Sequence, residues 1–504
     1  MKPFAKKASL TAWSLALAVY TVVAFHLPLF KFILSNKGDG ANGFFLIVSA
    51  ALVLLAVDFL LYYILVFLCR FAGKCIVAFT LLGDAAMLYF VNNYNVYVTK
   101  AVMGSVFETQ YTEASGFFSF SAILYVLLLG ILPCIYVFAR KVEYGSWKRF
   151  FIRIGIAAAL LLAVCAVNLK KRPWVDRYST ELGGLLMPWS YVVNTVGYFC
   201  SAQNAEEILL PDPTAISDSR DVCLLIIGES IRRDHLSLYG YERETCPYTS
   251  KDSLTTLAAI SSDTYTSASV RAILEPTEDR ELHEILPNYI LRAGGDVIWR
   301  TSNWSEPPVH TEKYYTAADL GKMYPDADSR YDSILLEGVK EEILGSDKDK
   351  VFIVLHTYTC HGPAYNLKYP KEFEVFTPAG NTVEMSKASQ EDIVNSYDNC
   401  LVYTDYLIHS VIDIVRDIPD RRACVLFVSD HGESLGENDI YMHGTPLAVA
   451  PWEQRDIPFM VWTSDHSLKV KPVDQVGQHH VFHSVIRFLG IESPAYDASK
   501  DIFE

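Results

Sequence analysis

Five long apolar runs crowd into the first third of the chain: Ser9–Leu29, Phe44–Leu68, Ile76–Val91, Phe117–Phe138 and Phe151–Val167. A helix that crosses a bilayer needs about 17–25 predominantly apolar residues, so these runs predict a transmembrane bundle of five helices. Ile76–Val91 is the shortest and contains Asp84. The runs explain why 51% of the 504 residues are hydrophobic, too many for an ordinary soluble enzyme of this length. The first run follows Lys2, Lys6 and Lys7, as a signal peptide would, but its apolar core exceeds the usual ~7–15 residues. Its small residues Ala16 and Ala18 also lie inside that core, so it reads as an uncleaved helix. Asp58 and Asp84 are costly against lipid and are expected to face the bundle interior or its ends.

Basic residues gather before the first run, at Arg70–Lys74 and in Arg140–Arg149, while Asn36–Asn42 and Asn92–Gly116 carry fewer. The positive-inside rule then makes the N-terminus cytoplasmic and delivers everything after about Asn168 to the far side. In a Gram-negative cell that is a multi-pass protein of the inner membrane with a periplasmic soluble half. The expected division is a transmembrane domain over 1–168, an interfacial linker with an amphipathic helix over 169–217, and a catalytic domain over 218–504. Trp174, Trp189, Tyr191 and Tyr198 in the linker suit a membrane interface. From Asp221 onward, short apolar strands alternate with amphipathic segments such as Glu391–Val415, the pattern of an α/β domain with a mainly parallel sheet. A net charge of −15 argues against a nucleic-acid partner. Ten cysteines are present, with no CxxC pair and no spacing that demands disulfides.

Three predicted strands end in groups that could bind metal. Asp221–Gly228 runs into Glu229, Val351–Leu355 into His356 and then His361, and Cys424–Val428 into Asp430 and His431. Ligands bind beyond the carboxyl ends of parallel strands, so these residues are expected to converge. Glu229, Asp430 and His431 leave coordination positions open, as a catalytic site does, and mixed oxygen and nitrogen donors fit Zn²⁺ best. The hydroxyl-rich run Ile260–Arg271 leads into a plausible helix start. Its hydroxyls can be read as helix caps or, in a metal site, as the source of an activated nucleophile beside a phosphate-binding helix N-terminus.

Gly228-Glu-Ser230 with Asp234-His235 and Leu238–Tyr241, His361–Tyr365, and Ser429–Glu437 with His443-Gly444 resemble the membrane-bound phosphoethanolamine transferases. These enzymes decorate lipopolysaccharide and belong to the alkaline phosphatase/sulfatase superfamily; their five-helix N-terminal architecture matches too. The resemblance implies a sulfatase-like fold with a sheet covered by helices. It makes Thr266, ahead of Thr264 or Ser267, the metal-bound nucleophile, with Glu229, Asp430 and His431 as the other ligands. His361 and His443 match histidines that contact the transferred phosphate, a second metal or the leaving group. Glu113 matches a glutamate associated with the lipid donor, and Asn303 a substrate contact. The cofactor implied is one tightly bound Zn²⁺, with room for a second and with Mn²⁺ or Mg²⁺ as weaker fits. The partners implied are phosphatidylethanolamine as donor and lipopolysaccharide, through a core sugar or lipid A, as acceptor to a monomeric enzyme.

Some residues depart from that pattern. Ser262 and Ala272 stand where lipid A-modifying members carry a disulfide, a lysine after the Asn303 region has no counterpart near Glu306-Pro-Pro308, and Ser105 replaces a common asparagine. These departures place the chain nearer the branch acting on core sugars. The expected reaction is a ping-pong transfer through a phosphoethanolamine–Thr266 intermediate. Two other readings are a glycerol-phosphate polymerase of the lipoteichoic acid synthase type and a sensor whose sulfatase-like domain has lost catalysis. Among the remaining histidines, His479, His480 and His483 are expected to cap and pack a helix start, and His235 to support Glu229.

Overall fold

The computed structural model describes residues 7–37, 42–108, 117, 119–202, 207–279, 281–380, 382–465 and 468–504. Two compact units emerge, one made of Met1–Gly104 with Phe118–Cys200, the other principally Ser201–Glu504. The expected linker, 169–217, begins as helix. Its first part forms helices Arg172–Arg177, Ser179–Gly184 and Trp189–Ala202, carried by the apolar unit.

Among the described residues of the first unit, Gly43–Tyr94, Phe120–Ala139 and Trp147–Arg177 are long and apolar enough to cross a membrane. Leu10–Phe25 and Leu27–Ser35, bent by 55° to one another, qualify as a fourth if taken together. That bend falls at His26, just before a helix that opens on Leu27-Pro28, where proline's missing N–H is harmless. The 52-residue helix is not one rod. Arg70 has φ 52° and ψ −114°, outside helical space. A Cβ built on Gly73 would lie 2.4 Å from the carbonyl oxygen of Leu65. Eight residues of straight helix rise about 12 Å, so the chain doubles back at Arg70 and Ile76–Val91 lies on the returning arm. Three basic segments meet at one end of this unit: Ala8 pairs with Val142, and Lys74 Nζ donates to the Arg140 carbonyl at 2.8 Å.

Asp58 and Asp84 are fully buried, as their cost against lipid requires. The aromatic segment after the last span supplies their donors: Trp189 Nε1 to Asp58 at 3.3 Å and the Tyr191 hydroxyl to Asp84 at 3.1 Å. Trp174 Nε1 donates to the Asn36 carbonyl at 2.7 Å. These rings therefore engage the helical unit through their polar atoms.

The second unit is built on one sheet. Its strands are β1 (Asp221–Gly228), β2 (Thr255–Ile260), β3 (Asp296–Thr301), β4 (Lys313–Thr316), β5 (Lys350–His356), β6 (Arg422–Ser429), β7 (Asp456–Thr463) and β8 (Val476–Gly477). They lie in the order β8-β2-β7-β6-β1-β5-β3-β4. From β6 to β4 every pairing is parallel, as the alternating pattern predicts; β7 runs antiparallel to both β6 and β2, which makes the sheet mixed. The central strand β1 is buried along its whole length, the reason its sequence is continuously apolar rather than alternating. One face packs on Val270, Ile273 and Leu274 of helix α1 (Thr266–Leu274) and on Val481, Phe482 and Val485. Across the other face, Phe427 and Met460 meet Leu401 and Ile408 of helix α2 (Gln390–Arg416). The result is a three-layer α/β/α domain.

Register decides what happens at the strand ends. In the parallel pairing of β1 with β6, Gly228 lies beside Ser429, and β5 places His356 beside Ile227. Glu229 and Asp430, each one residue beyond, are therefore delivered to the same edge.

Candidate active site

At that edge the chain turns away from strand geometry at once. Ser230 adopts φ 58°, and its N–H donates to Asp430 Oδ1 at 2.9 Å. Gly432 follows the Asp430-His431 pair because the chain there passes the Glu453 carbonyl so closely that a Cβ would sit 2.1 Å from its oxygen. A larger residue could not be accommodated.

Glu229, Asp430 and His431 offer ligand atoms within 4.8 Å of one another, and all three are buried. Thr266 joins them as the first residue of α1. The preceding Tyr265 makes no side-chain cap, and the Thr266 hydroxyl lies 3.2 Å from Glu229 Oε2 and 3.3 Å from His431 Nε2. Thr264, the neighbouring alternative, spends its hydroxyl on the Thr445 carbonyl at 2.7 Å. Ser267 lines the same cavity as Thr266.

The protonation pattern argues for a cation among these groups. His431 Nδ1 lies 2.9 Å from the Gly432 carbonyl, so Nδ1 carries the proton and Nε2 presents a lone pair. That lone pair faces Asp430 Oδ2 at 3.2 Å and Glu229 Oε1 at 3.6 Å. Asp430 Oδ2 is buried with no hydrogen-bond donor among the described residues. Lone pairs converging on one point in a buried site repel unless a positive ion lies between them. Burial and the charge of Glu229 push the Asp430 carboxyl well above its usual range. Burial would raise Glu229 too, but positive charge at the positions of His431, His361 and His443, with a hydrogen bond from Ser230, outweighs it and holds that carboxyl below the ordinary range. A hard, charged mixture of carboxylate, imidazole and hydroxyl fits a divalent ion.

His361 and His443 complete further donor groupings, with Glu229 in one case and, for His443, with His431 and Glu433 in another. His361 Nδ1 donates to the Gly362 carbonyl at 2.7 Å, and His443 Nδ1 lies 2.8 Å from Glu433 Oε2. Both therefore turn Nε2 outward, and both line the cavity over Thr266. Asn303, at the end of β3, donates from Nδ2 to Glu229 Oε2 at 2.7 Å and to the Thr357 carbonyl at 2.9 Å. It orients a carboxylate as well as lining the cavity. Glu113 lies outside the described residues.

Two residues differ from their expected places. His235 does not support Glu229; its Nδ1 bonds Asp398 at 2.8 Å and its ring stacks on Tyr241 at 4.7 Å, because the short helical turn at Arg233–His235 carries it toward α2. His356 ends β5 beside Glu306, 2.9 Å from its carboxylate, rather than in the donor groupings. The sequence reading assigned no role to Glu433, which is fully buried, accepts from the Tyr365 hydroxyl and holds His443. A carboxylate two residues after His431 was the available signal. His479, His480 and His483 all bond backbone groups, at Glu275, Gly477 and Pro276.

The chain resembles known proteins over nearly its whole length. Residues 221–491 match the sulfatase family, and residues 48–202 match the family described as phosphoethanolamine transferase EptA/EptB. The chain is similar to the phosphoethanolamine transferase EptA of Helicobacter pylori, 31% identical over 496 residues that cover 96% of this chain and 94% of that one. It is also similar to EptA of Escherichia coli K12, at 28% identity over 98% and 97% of the two chains. Among solved structures, the integral membrane lipooligosaccharide phosphoethanolamine transferase A of Neisseria meningitidis superposes with a TM-score of 0.89, at 25% identity over 99% of each chain.

Proposed function

The chain belongs to the membrane phosphoethanolamine transferases of the alkaline phosphatase/sulfatase superfamily, and from that premise we propose that it moves phosphoethanolamine from phosphatidylethanolamine to lipopolysaccharide through Thr266. The observation that carries this reading is the Thr266 hydroxyl, at a helix N-terminus and within 3.3 Å of both Glu229 and His431.

Glu229, Asp430, His431 and Thr266 would hold one Zn²⁺, and the groupings through His361, His443 and Glu433 would accommodate a second. Bound there, such an ion supplies Lewis-acid activation of the hydroxyl and charge stabilisation for the phosphoryl oxygens. The chain's own residues do the rest. Thr266 Oγ1 attacks phosphorus in line, its proton passing toward Glu229 Oε2, and the phosphorus–oxygen bond to diacylglycerol breaks. The departing glyceryl oxygen takes a proton from Nε2 of His443 or His361 in its imidazolium form, with Nδ1–H kept on Glu433 or on the Gly362 carbonyl. The N–H groups that open α1 before its first helical bond would face the phosphoryl oxygens. An acceptor sugar or phosphate O–H then attacks the phosphoethanolamine–Thr266 ester and gives its proton to the same histidine, while the Thr266 oxygen leaves with the proton held at Glu229, which regenerates the threonine.

The lipid donor explains the membrane unit. We infer that Gly43–Tyr94 furnishes two crossings divided at Arg70, which with the bent pair and the other two spans makes five. The gathering of Ala8, Lys74 and Arg140 at one end supports a cytoplasmic N-terminus and a periplasmic catalytic domain in a bacterial inner membrane. The working division is 1–168, 169–217 and 218–504, with the enzyme acting as a monomer. Glu113 is proposed as a donor-lipid contact and Asn303 as a residue that positions Glu229. Against a lipoteichoic acid-type polymerase stands the EptA/EptB match over residues 48–202. Against a catalytically dead sensor stands the complete set of ligands around a hydroxyl.

Thr266→Ala should abolish diacylglycerol release from phosphatidylethanolamine, and Thr266→Ser should retain part of it. In the unsubstituted enzyme, starved of acceptor, the peptide containing Thr266 should gain the mass of a phosphoethanolamine group. Normal transfer by Thr266→Ala would remove the assignment. Mass spectrometry of lipopolysaccharide from cells with and without the protein locates the acceptor.

A further inference from the structure

The cavity over Thr266 has one aromatic wall, and its place is fixed by the machinery itself. Asn303 is tied to Glu229 Oε2 at 2.7 Å, and its Oδ1 accepts the Trp304 backbone N–H at 2.9 Å. The next residue, Ser305, adopts φ 65°, which turns the loop sharply after Trp304. Trp304 thus stands one residue from a side chain that touches the carboxylate holding the nucleophile. Its indole packs 4.8 Å from the Tyr358 ring and 6.0 Å from His361. Lys368 Nζ already lies 3.7 Å over the Tyr358 ring, and Tyr358 does not line the cavity. Trp304 does, together with Ser267 and Ser305.

The described residues lining the cavity offer hydroxyl, amide, imidazole and indole groups, while the Glu229 carboxylate, 3.2 Å from the Thr266 hydroxyl, is bonded by Asn303 and belongs to the donor set. Phosphoethanolamine carries its ammonium two methylenes from the phosphate, close enough to reach the cavity wall while phosphorus is at Thr266. An ammonium is attracted to the face of an indole more strongly than to the other aromatic rings, and a hydroxyl of the same size is not.

Resting on the transferase reading above, we propose that Trp304 is the specificity-determining residue for the transferred group, its indole recognising the primary ammonium and so selecting a cationic phosphate headgroup over a neutral one. Ser267 and Ser305 supply hydroxyl acceptors around that ammonium.

The test compares the full-length metal-loaded enzyme with Trp304→Phe and Trp304→Leu. Leucine keeps an apolar side chain but removes the ring, and phenylalanine keeps a ring. Each protein is titrated with O-phosphoethanolamine and with 2-hydroxyethyl phosphate, its neutral isostere, as inhibitors of diacylglycerol release from phosphatidylethanolamine vesicles. The unsubstituted enzyme should prefer phosphoethanolamine, Trp304→Leu should reduce that preference about 3- to 30-fold, and Trp304→Phe should keep most of it. A preference that survives Trp304→Leu overturns the inference, as does equal weakening of both inhibitors. Absence of diacylglycerol release by the unsubstituted enzyme would instead overturn the transferase reading, so the two failures are distinguishable.

Discussion

Removing the metal should cost the protein a measurable part of its thermal stability, and Asp430→Asn should erase that dependence. Without an ion, ligand atoms of Glu229, Asp430 and His431 lie within 4.8 Å of one another in a buried site beside the Thr266 hydroxyl, and Asp430 Oδ2 has no donor among the described residues. A ligand bound only by the folded state stabilises it by about 2.7 kcal/mol at 100 times its Kd and about 4.1 kcal/mol at 1,000 times. For a domain of this size about 1 kcal/mol moves Tm by roughly 2–4 °C, so chelation should lower Tm by about 5–16 °C. Asparagine at 430 retains Oδ1 to accept the N–H groups of Ser230 and His431. It removes one of two facing carboxylates, so the metal-free variant should be at least as stable as the metal-free parent. Its response to metal should collapse to within about 2 °C. The assay is differential scanning fluorimetry of the full chain in detergent, after a strong chelator and again after Zn²⁺ is restored, with metal content measured alongside. A parent Tm indifferent to chelation, or an Asp430→Asn protein with the full shift, would refute the reasoning.

Glu433→Gln removes the charge that fixes His443 through Nδ1; kcat for diacylglycerol release should fall about 10- to 100-fold with KM little changed, and a fall confined to KM would contradict the positioning role. His479 tests the linkage between burial and acid stability. Burial lowers its imidazole from 6.5 to about 4, against a backbone contact to Glu275. A folded-state value below the unfolded one means that protonation favours unfolding. The stability His479 permits is complete above pH 6.5 and is lost as pH falls through about 4. Denaturation of parent and His479→Gln proteins at pH 7 and pH 4.5 should show the parent losing more on acidification; parallel losses would contradict it.

The sequence alone was enough for the features that depend on composition and local pattern. Apolar runs too long for a soluble core announced the membrane unit, and the unbroken hydrophobicity of Val222–Ile227 and Cys424–Val428 announced strands buried on both faces. It parted Phe44–Leu68 from Ile76–Val91 at the basic turn Arg70–Lys74, but that the chain doubles back there shows only in the left-handed conformation of Arg70, which no periodicity marks. It could not orient β7 either, since an antiparallel strand buried on both faces carries the same apolar pattern as a parallel one.

The site shows the same division. Glu229, Asp430 and His431 could be read because each sits just past a recognisable strand, and parallel strands end together. Glu433, Asn303 and Trp304 acquire their places only when β1, β3, β5 and β6 align, since each contacts a partner tens of residues away. His235 misled for that reason: nearness to Glu229 in sequence counted for less than one short helical turn toward Asp398. Residue type and spacing are local properties and survive in the sequence, whereas register, handedness of a single turn and the direction of a ring nitrogen are fixed only when distant segments pack against one another.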